Sequence, residues 1–354
     1  MAIIARLRPT IYDIAKRAKV GIGTVSRVLN NHPSVAKKTR TRVLDAVSRL
    51  NYQPHPYARG LARKRTNSLM VVVPYFTTPF FLEILQGVHS KLTGLDYDLI
   101  LYGVSHPDHL EQSLARNVFR NRVDGILFIS MKMPKSFAER CRDQNIPVVL
   151  VDSHHTQFDS LSVDNIQGVT IATTHLISLG HRQIGILNAN LKSTPAHDRL
   201  EGFQRALFSA GIDPDSQLQK STLSTDLDGF TQECGYELMQ EFLALGPRKP
   251  TAIFVSSDVQ AIGALRALSE KGIRCPEDVA IVGFDDIELA GPLGLTTMHQ
   301  PMREMGTFAA DILLGRVEED SFKLIQKSFI PELVIRRTCG ASLKQRGSSK
   351  ADVA

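Results

Sequence analysis

The chain opens with apolar residues at helical spacing and, beyond residue 68, changes to short uninterrupted apolar runs. In "TIYDIAKRAKV" Ile11, Ile14, Ala15 and Ala18 share one helical face, and Thr10 stands where a cap belongs. Val25, Val28 and Leu29 mark a second short helix beginning near Ile22. Val43, Leu44, Val47 and Leu50 mark a third in "KKTRTRVLDAVSRLNY". Three short helices with a tight turn between the first two predict a helix-turn-helix. From Ser68 onward "LMVVVPY", "YDLILYG", "DGILFIS", "IPVVLVD", "QIGILNA", "TAIFVSS" and "VAIVGFD" read as buried parallel strands. Helical stretches separate them, among them "PFFLEILQGVHSKL", "GVTIATTHLISLGH" and "RLEGFQRALFSAG". This alternation predicts a doubly wound α/β architecture.

The stretch "VGIGTVSRVLNN" admits a second reading. Gly21-x-Gly23-x-x-Ser26 looks like an altered dinucleotide-binding loop, which needs a buried strand before it. Lys16, Arg17 and Lys19 make a poor strand. Asp45, 22 residues after Gly23, stands near the place of a ribose-binding carboxylate but lies inside the third helix. The helix-turn-helix reading therefore prevails. Its second helix offers its first exposed turns to a DNA major groove. Gly23, Thr24 and Ser26 are small enough to let it lie close to bases and phosphates. Arg27 is long enough for a bidentate contact to guanine, a phosphate contact being its plainer role. Thr24, Ser26 and Asn30 suit positioning the helix better than reading sequence.

Charge strengthens this picture. Net charge is +6 over 354 residues, but residues 1–66 hold 15 Lys and Arg against Asp13 and Asp45 alone, a net of +13. The rest carries 27 basic and 34 acidic residues, a net of −7. A basic module that meets a polyanion, joined to a body that does not, is the expected organisation. Cys141, Cys234, Cys275 and Cys339 are scattered without a C-x-x-C pair, as expected of reduced thiols in a cytoplasm. "MAIIARLRPTIYD" lacks the order and length of a signal peptide, and no apolar run reaches the length of a membrane span.

The segment "TIYDIAKRAKVGIGTVSRVLNNHPSVAKKTRTRVLDAVSRLNYQPHPYARGLA" resembles the DNA-binding head of the lac and galactose repressor family, and the resemblance runs on to about Gly340. It implies a helix-turn-helix head over 1–54, a hinge helix or linker over 55–66 and a periplasmic-binding-protein-like core over 67–340. That core would comprise parallel sheets flanked by helices, in two subdomains. The first is expected at about 67–166 and 299–325, the second at about 167–298 and 326–340, before a disordered tail over 341–354. In the family the positions matching Ile22, Gly23 and Arg27 face bases, and the one matching Tyr12 contacts phosphate. Gly21 and Ala36 replace common serines. Ile22 and Gly23 cannot donate side-chain hydrogen bonds, so DNA shape is expected to carry more of the specificity.

In the hinge, "PHPYARGLARKRTN", Ala58, Leu61 and Ala62 could line one side of a short helix that Gly60 weakens. So short a helix is expected to fold only on DNA. A plain flexible linker is the alternative. Leu61 matches the leucine that wedges into the minor groove in the family. Arg59, Arg63, Lys64 and Arg65 would meet phosphates, and His55-Pro56 departs from the usual residues before this helix.

Ligands in doubly wound sheets collect at the carboxyl ends of strands. Phe80, Phe81, Ser130, Asp152, Arg199, Phe230, Ser257, Asp285 and Gln300 match family positions that line the cleft. Carboxylates and an arginine grip hydroxyls, while aromatic faces pack against a sugar ring. A phenylalanine alone is more often core, and Asp285-Asp286 could simply cap a helix. Neighbours on one strand point to opposite faces, so those two aspartates make a poor acid/base pair. His154-His155 and His175/His181 lack the spacing of a metal site, and no Walker or nucleophile-elbow motif occurs. No catalytic residue, metal or cofactor is expected, and the tail lacks the leucine heptads of a tetramerising coiled coil.

The expected protein is a cytoplasmic, homodimeric, sequence-specific repressor and not an enzyme. Its partners are a near-palindromic double-stranded DNA operator and a small effector, a sugar by preference and a purine-type corepressor as the alternative. A sugar-binding protein and an α/β enzyme are the rivals from other classes.

Overall fold

The computed structural model describes residues 9–29, 32–52, 66–74, 76–104, 114, 118, 123–215, 218–318 and 323–341. Asn30, the hinge with Ala58, Arg59 and Leu61, and the tail beyond 341 lie outside these residues. The chain divides into two units, residues 1–68 with 114–124 and residues 69–113 with 125–354.

In the first unit α1 (Ile11–Ala18), α2 (Ile22–Leu29) and α3 (Lys37–Arg49) enclose a small core. Ile14, Val25, Val28 and Val43 are fully buried there, and Ala15, Ala18 and Ala46 let the helices close in. The start of α1 is fixed by Asp13, whose carboxylate accepts from the Thr10 backbone N–H at 2.8 Å and from its hydroxyl at 2.7 Å. Lys19, at φ 52°, ends the helix in the left-handed region. Leu44, expected on the inner face of α3, is 48% exposed, and Ala46 takes that place. Positions 43, 46, 47 and 50 follow the 3.6-residue period more closely than 43, 44, 47 and 50. The first unit's main segment ends at Ser68, beside the boundary expected at 66/67, and Leu114–Asp124 is grouped with it. The Asp124 carboxylate explains this, accepting from Thr66 N at 2.6 Å, Thr66 Oγ1 at 2.9 Å and Asn67 N at 2.7 Å.

The second unit holds two six-stranded sheets. The first contains β1 (Ser68–Val73), β2 (Asp98–Gly103), β3 (Gly125–Ile129), β4 (Val148–Val151), β5 (Asp159–Val163) and β11 (Gln326–Phe329), in the order β11-β5-β4-β3-β1-β2. The second contains β6 (Ile184–Asn188), β7 (Gln219–Ser221), β8 (Ala252–Val255), β9 (Ala280–Asp285), β10 (Thr296–His299) and β12 (Glu332–Val334), in the order β12-β10-β9-β8-β6-β7. Neighbours run parallel in the registers established, except β12, which is antiparallel to β10.

Alternate residues of each strand serve opposite faces. On β8, Ala252 and Phe254 pack with Val169, Leu176 and Phe203 of α6 (Asn165–Ser178) and α7 (Thr194–Ser209). Ile253 and Val255 pack with Met239, Phe242 and Leu268 of α8 (Gln232–Ala244) and α9 (Asp258–Glu270). The first sheet packs Leu69, Val71, Leu127 and Val149 against α4 (Pro79–Leu92) and α11 (Met302–Glu318), while Phe128 meets Phe137 of α5 (Lys135–Asp143). A short α10 (Ala290–Leu293) precedes β10.

Two strand expectations are corrected. "YDLILYG" forms β2, but at a sheet edge, with Ile100 and Leu101 exposed rather than buried. The crossing expected after residue 325 falls after Phe329, because Gln326–Phe329 pairs parallel with Ser160–Val163 in the first sheet. Polar strands β5 and β11 hold together through Asp159, which receives a two-pronged contact from Arg316 at 2.8 and 2.9 Å and the Ile325 backbone N–H at 2.7 Å.

The helix pairs touch backbone to backbone. A Cβ on Gly263 of α9 would lie 1.9 Å from the Gln232 carbonyl oxygen, and one on Gly235 of α8 would lie 2.0 Å from that of Gln260. Gly263→Ala is therefore expected to destabilise the core by about 1–3 kcal/mol in urea denaturation. Gly315→Ala, on α11 with nothing within 4 Å of its added methyl, is expected to stabilise it by up to about 1 kcal/mol through helix propensity.

Candidate functional site

On α2 the inward residues Val25 and Val28 fix which side of the helix faces out. Ile22, Gly23 and Arg27 are exposed on it, and Thr24 and Ser26 are partly so. Tyr12 on α1 is 67% exposed. A Cβ at Gly21 or Gly23 would meet nothing within 4 Å, so the chain's own packing does not require either glycine. With Asn30, Ala58, Arg59 and Leu61 outside the described residues, the structure places Tyr12, Ile22, Gly23, Thr24, Ser26 and Arg27 on one small helical unit.

The second unit contains a cleft with about 670 Å³ of space between atoms, open solvent at its mouth included. From the first sheet come Phe80 and Phe81, in the opening turn of α4, with ring centroids 5.2 Å apart and planes at 86°. Ser130 and Asp152 follow β3 and β4, both in the left-handed region at φ 50° and 51°. The Ser130 hydroxyl donates to Asp152 Oδ2 at 2.5 Å. From the second sheet come Ser257, at the start of α9, Arg199 on α7, Asp285 at the end of β9, and Phe230. Non-glycine residues in this backbone region are held there by the surrounding fold, a recurrent feature of functional sites.

Arg199 is 5% exposed and fully engaged on one side. Its Nε donates to Asn165 Oδ1 at 2.9 Å and its Nη1 to the Ser256 carbonyl oxygen. Its guanidinium carbon lies 4.0 Å from the centre of the Phe284 ring and 5.6 Å from that of Phe230. Nη2 stands 3.9 Å from Asp285 Oδ1. Burial raises the Asp285 carboxyl to about 7, against the opposing pull of Arg199 and of Gln300, which donates at 2.6 Å. Burial also raises Asp152, again against a hydrogen bond from Ser130. Behind the cleft, burial and the neighbouring Asp285 push Asp258 well up. Its oxygens accept from Thr297 Oγ1 at 2.6 Å and Ile287 N at 3.0 Å.

Of the residues expected to line the cleft, Gln300 does not. It is 1% exposed and acts from behind, on Asp285. The other eight come together. Residues that sequence reasoning missed include Thr78, Ser193, Leu227, Asp228 and Val259. Thr78 and Ser193 stand before helices whose first turns contain proline, a signal that could have found them. Asp286 does not line the cleft. It meets His299 Nδ1 at 3.1 Å and Arg336 Nη2 at 2.7 Å, which hold its carboxyl low. Among the described residues no group of three or more His, Cys, Asp or Glu could hold a metal ion. The arrangement is suited to holding a polar ring in a fixed pose.

Comparison with known proteins places both units. Residues 10–55 match the bacterial regulatory proteins of the lacI family, and residues 173–339 match the periplasmic binding protein-like domain. The HTH-type transcriptional repressor PurR of Mannheimia succiniciproducens is 36% identical over 343 residues, covering 93% of this chain and 98% of that one. The crystal structure of the lac repressor dimer bound to operator and the anti-inducer ONPF is 28% identical with a TM-score of 0.79, covering 94% and 99%. A complex of the transcriptional regulator CelR with cellobiose is 30% identical with a TM-score of 0.68, covering 94% and 100%. The chain therefore belongs to the lacI family of bacterial regulatory proteins, as a transcriptional regulator with a helix-turn-helix DNA-binding domain and an effector-binding core.

Proposed function

We propose that the chain is a repressor whose operator affinity is set by a small sugar seated in the cleft. The observation that carries this reading is the convergence of Asp152, Arg199 and Asp285 with three phenylalanine rings around one cavity. Carboxylates accept from ring hydroxyls, a guanidinium donates to them, and Phe80, Phe81 and Phe230 cover the apolar faces. Ser130 and Ser257 add hydroxyls, and Gln300 aims Asp285. The cellobiose complex of CelR supports a sugar. The lac repressor dimer bound to operator supports a homodimer on operator DNA, and a two-fold dimer calls for a near-palindromic site. No turnover accompanies binding in this reading. Among the described residues no helix is long and apolar enough to cross a membrane.

On DNA, Ile22, Gly23 and Arg27 meet base edges, Thr24, Ser26 and Asn30 set the helix in the groove, and Tyr12 meets phosphate. Ala58, Arg59 and Leu61 act at the operator centre. A ligand that binds the two core arrangements unequally changes operator affinity by that inequality, typically about 5–150-fold.

Selection of random duplexes on the purified protein, with and without a panel of sugars and purine bases, tests the whole reading. A palindrome recovered in proportion to one sugar supports it, and a response to purines alone replaces the sugar. Gly23→Ala is expected to stabilise the head by up to about 1 kcal/mol, since its methyl clashes with nothing. The same change weakens operator binding, because the methyl enters the groove. Arg27→Ala is expected to relax preference at one base position by about 1–3 kcal/mol in a binding series over single-base variants. A uniform loss across all variants would make it a phosphate contact.

The raised Asp285 carboxyl sets a pH dependence. Ionised, it accepts from a sugar hydroxyl; protonated, below about 7, it does so weakly. Sugar affinity measured by calorimetry is therefore expected to fall about tenfold per pH unit as pH drops below that value. Asp285→Asn is expected to remove this slope, and a slope that persists in the variant would assign it elsewhere.

A further inference from the structure

The loop Asp226–Gly229 brings Leu227 and Asp228 to the cleft in an unusual backbone form. Leu227, Asp228 and Gly229 stand at φ 45°, 53° and 83°, three successive residues in the left-handed region. Glycine adopts this freely, whereas leucine and aspartate are disfavoured there. Gly229 admits no side chain, since a Cβ would lie 2.2 Å from Thr222 Cγ2. The form is held by Asn190 N donating to the Asp228 carbonyl at 2.9 Å and Phe230 N donating to that of Leu227 at 3.0 Å. Buried Gln260 adds a third tie, from Nε2 to the Gly229 carbonyl at 3.0 Å, while its Oε1 accepts from Ser256 and Ser257.

These ties act on backbone and leave the Asp228 side chain over. Among the described residues no hydrogen-bond donor or cation pairs with its carboxylate, and burial raises it from its ordinary value. Asp228 lines the same cavity as Asp152 and Asp285. The one described cation lining that cavity is Arg199, already engaged with Asn165, Ser256 and Asp285. Lys132 and Lys192, close in sequence to lining residues, are exposed and do not line it. Three carboxylates thus confront one committed guanidinium. A ligand that fills this space meets acceptors in excess and repulsion for any further negative charge.

We propose that Asp228 is a direct effector contact, held in place by the left-handed loop, and that with Asp152 and Asp285 it makes the cleft select an uncharged, hydroxyl-rich sugar over its phosphorylated or carboxylated counterpart. This rests on the sugar reading above. Asp228 accepts a ring hydroxyl, and the same carboxylate repels a phosphate or uronate at that end of the ring.

Calorimetry on the full chain tests it with D-ribose, D-glucose, D-galactose and cellobiose, with ribose 5-phosphate, glucose 6-phosphate and glucuronate, and with purine bases. The expected result is binding of a neutral sugar, with its anionic counterpart at least about a hundredfold weaker. Asp228→Asn keeps shape and tolerates the left-handed backbone. It is expected to weaken the neutral sugar about tenfold, to narrow the discrimination by a similar factor and to leave the Tm of the unliganded protein unchanged. An anionic sugar bound as tightly as the neutral one, or discrimination unchanged in Asp228→Asn, overturns the proposal and leaves the sugar reading standing. Purine binding without response to any sugar overturns both.

Discussion

A guanidinium cannot be buried without partners, and Arg199 shapes the second half of the core around that requirement. At 5% exposure it needs acceptors, and away from the cavity it finds them on elements distant in sequence. Asn165 opens α6, Ser256 follows β8, Asp285 ends β9, and Phe284 supplies an aromatic face. One side chain therefore joins a helix start to two strand ends. Because these contacts are made within the protein, that wall of the cleft is fixed before any ligand arrives, which lowers the ordering cost of binding.

The facing wall is aimed differently. Ser130 and Asp152 leave their strands in the left-handed region, and the hydroxyl of one donates to the carboxylate of the other. On the Arg199 side, Asp285 likewise ends its strand at φ 119°. Each departs from the backbone form its residue type prefers, and such departures persist only where the surroundings over-determine them. The sheets do so here. Val151 pairs with both Ile129 and Leu161, and helices α4 and α11, closed on each other at Gly87 and Gly306, pack on the same sheet. A Cβ at either glycine would lie 2.1 Å from a carbonyl oxygen of the other helix. Close helix packing thus holds the strands whose ends carry the strained residues.

What the sequence revealed and what it hid follow from how each element is stabilised. Strands buried on both faces, such as β1, β3 and β9, are legible as unbroken apolar runs. β5, with the sequence DSLSV, is just as buried but polar, because Asp159 is satisfied by Arg316 some 157 residues away. No local pattern contains that partner. β2 reads as a core strand since periodicity cannot distinguish an edge position from a central one. The cleft shows the same division. Phe80, Ser130, Asp152 and Asp285 fall at strand ends or the helix starts that follow them, where doubly wound sheets place ligands. Leu227 and Asp228 reach the cleft only through consecutive left-handed residues, and in "TDLDGF" Gly229 alone hints at such a turn. Gln300 was legible as a neighbour of the cleft, but its role behind Asp285 depends on a side-chain direction that spacing does not encode.

The chain passes between the two sheets at the β5–α6, β10–α11 and β11–β12 junctions, and one of these is bonded to the cleft itself. His299 ends β10 and meets Asp286, while the next residue, Gln300, donates to Asp285. The two neighbouring aspartates thus bind the two neighbouring residues of the crossing, one from the cleft side and one through a cluster with Arg336. Anything that changes the charge or hydrogen bonding of Asp285 acts on Gln300 by direct contact, without an intervening chain of residues. A ligand shifts the arrangement of two lobes only by the difference in how it binds each arrangement. A cleft carboxylate bonded to a crossing segment is where such a difference can arise, because reorienting the crossing alters a bond to the cavity lining. The first of these crossings is bonded to the third. Asp164 caps α6 through Gln167 and accepts no part of the ligand cavity, yet its backbone N–H donates to Phe329 at the third crossing. The first crossing is therefore tied to the third, the third meets the second where Glu332 pairs with His299, and Gln300 ties the second to a carboxylate of the cleft.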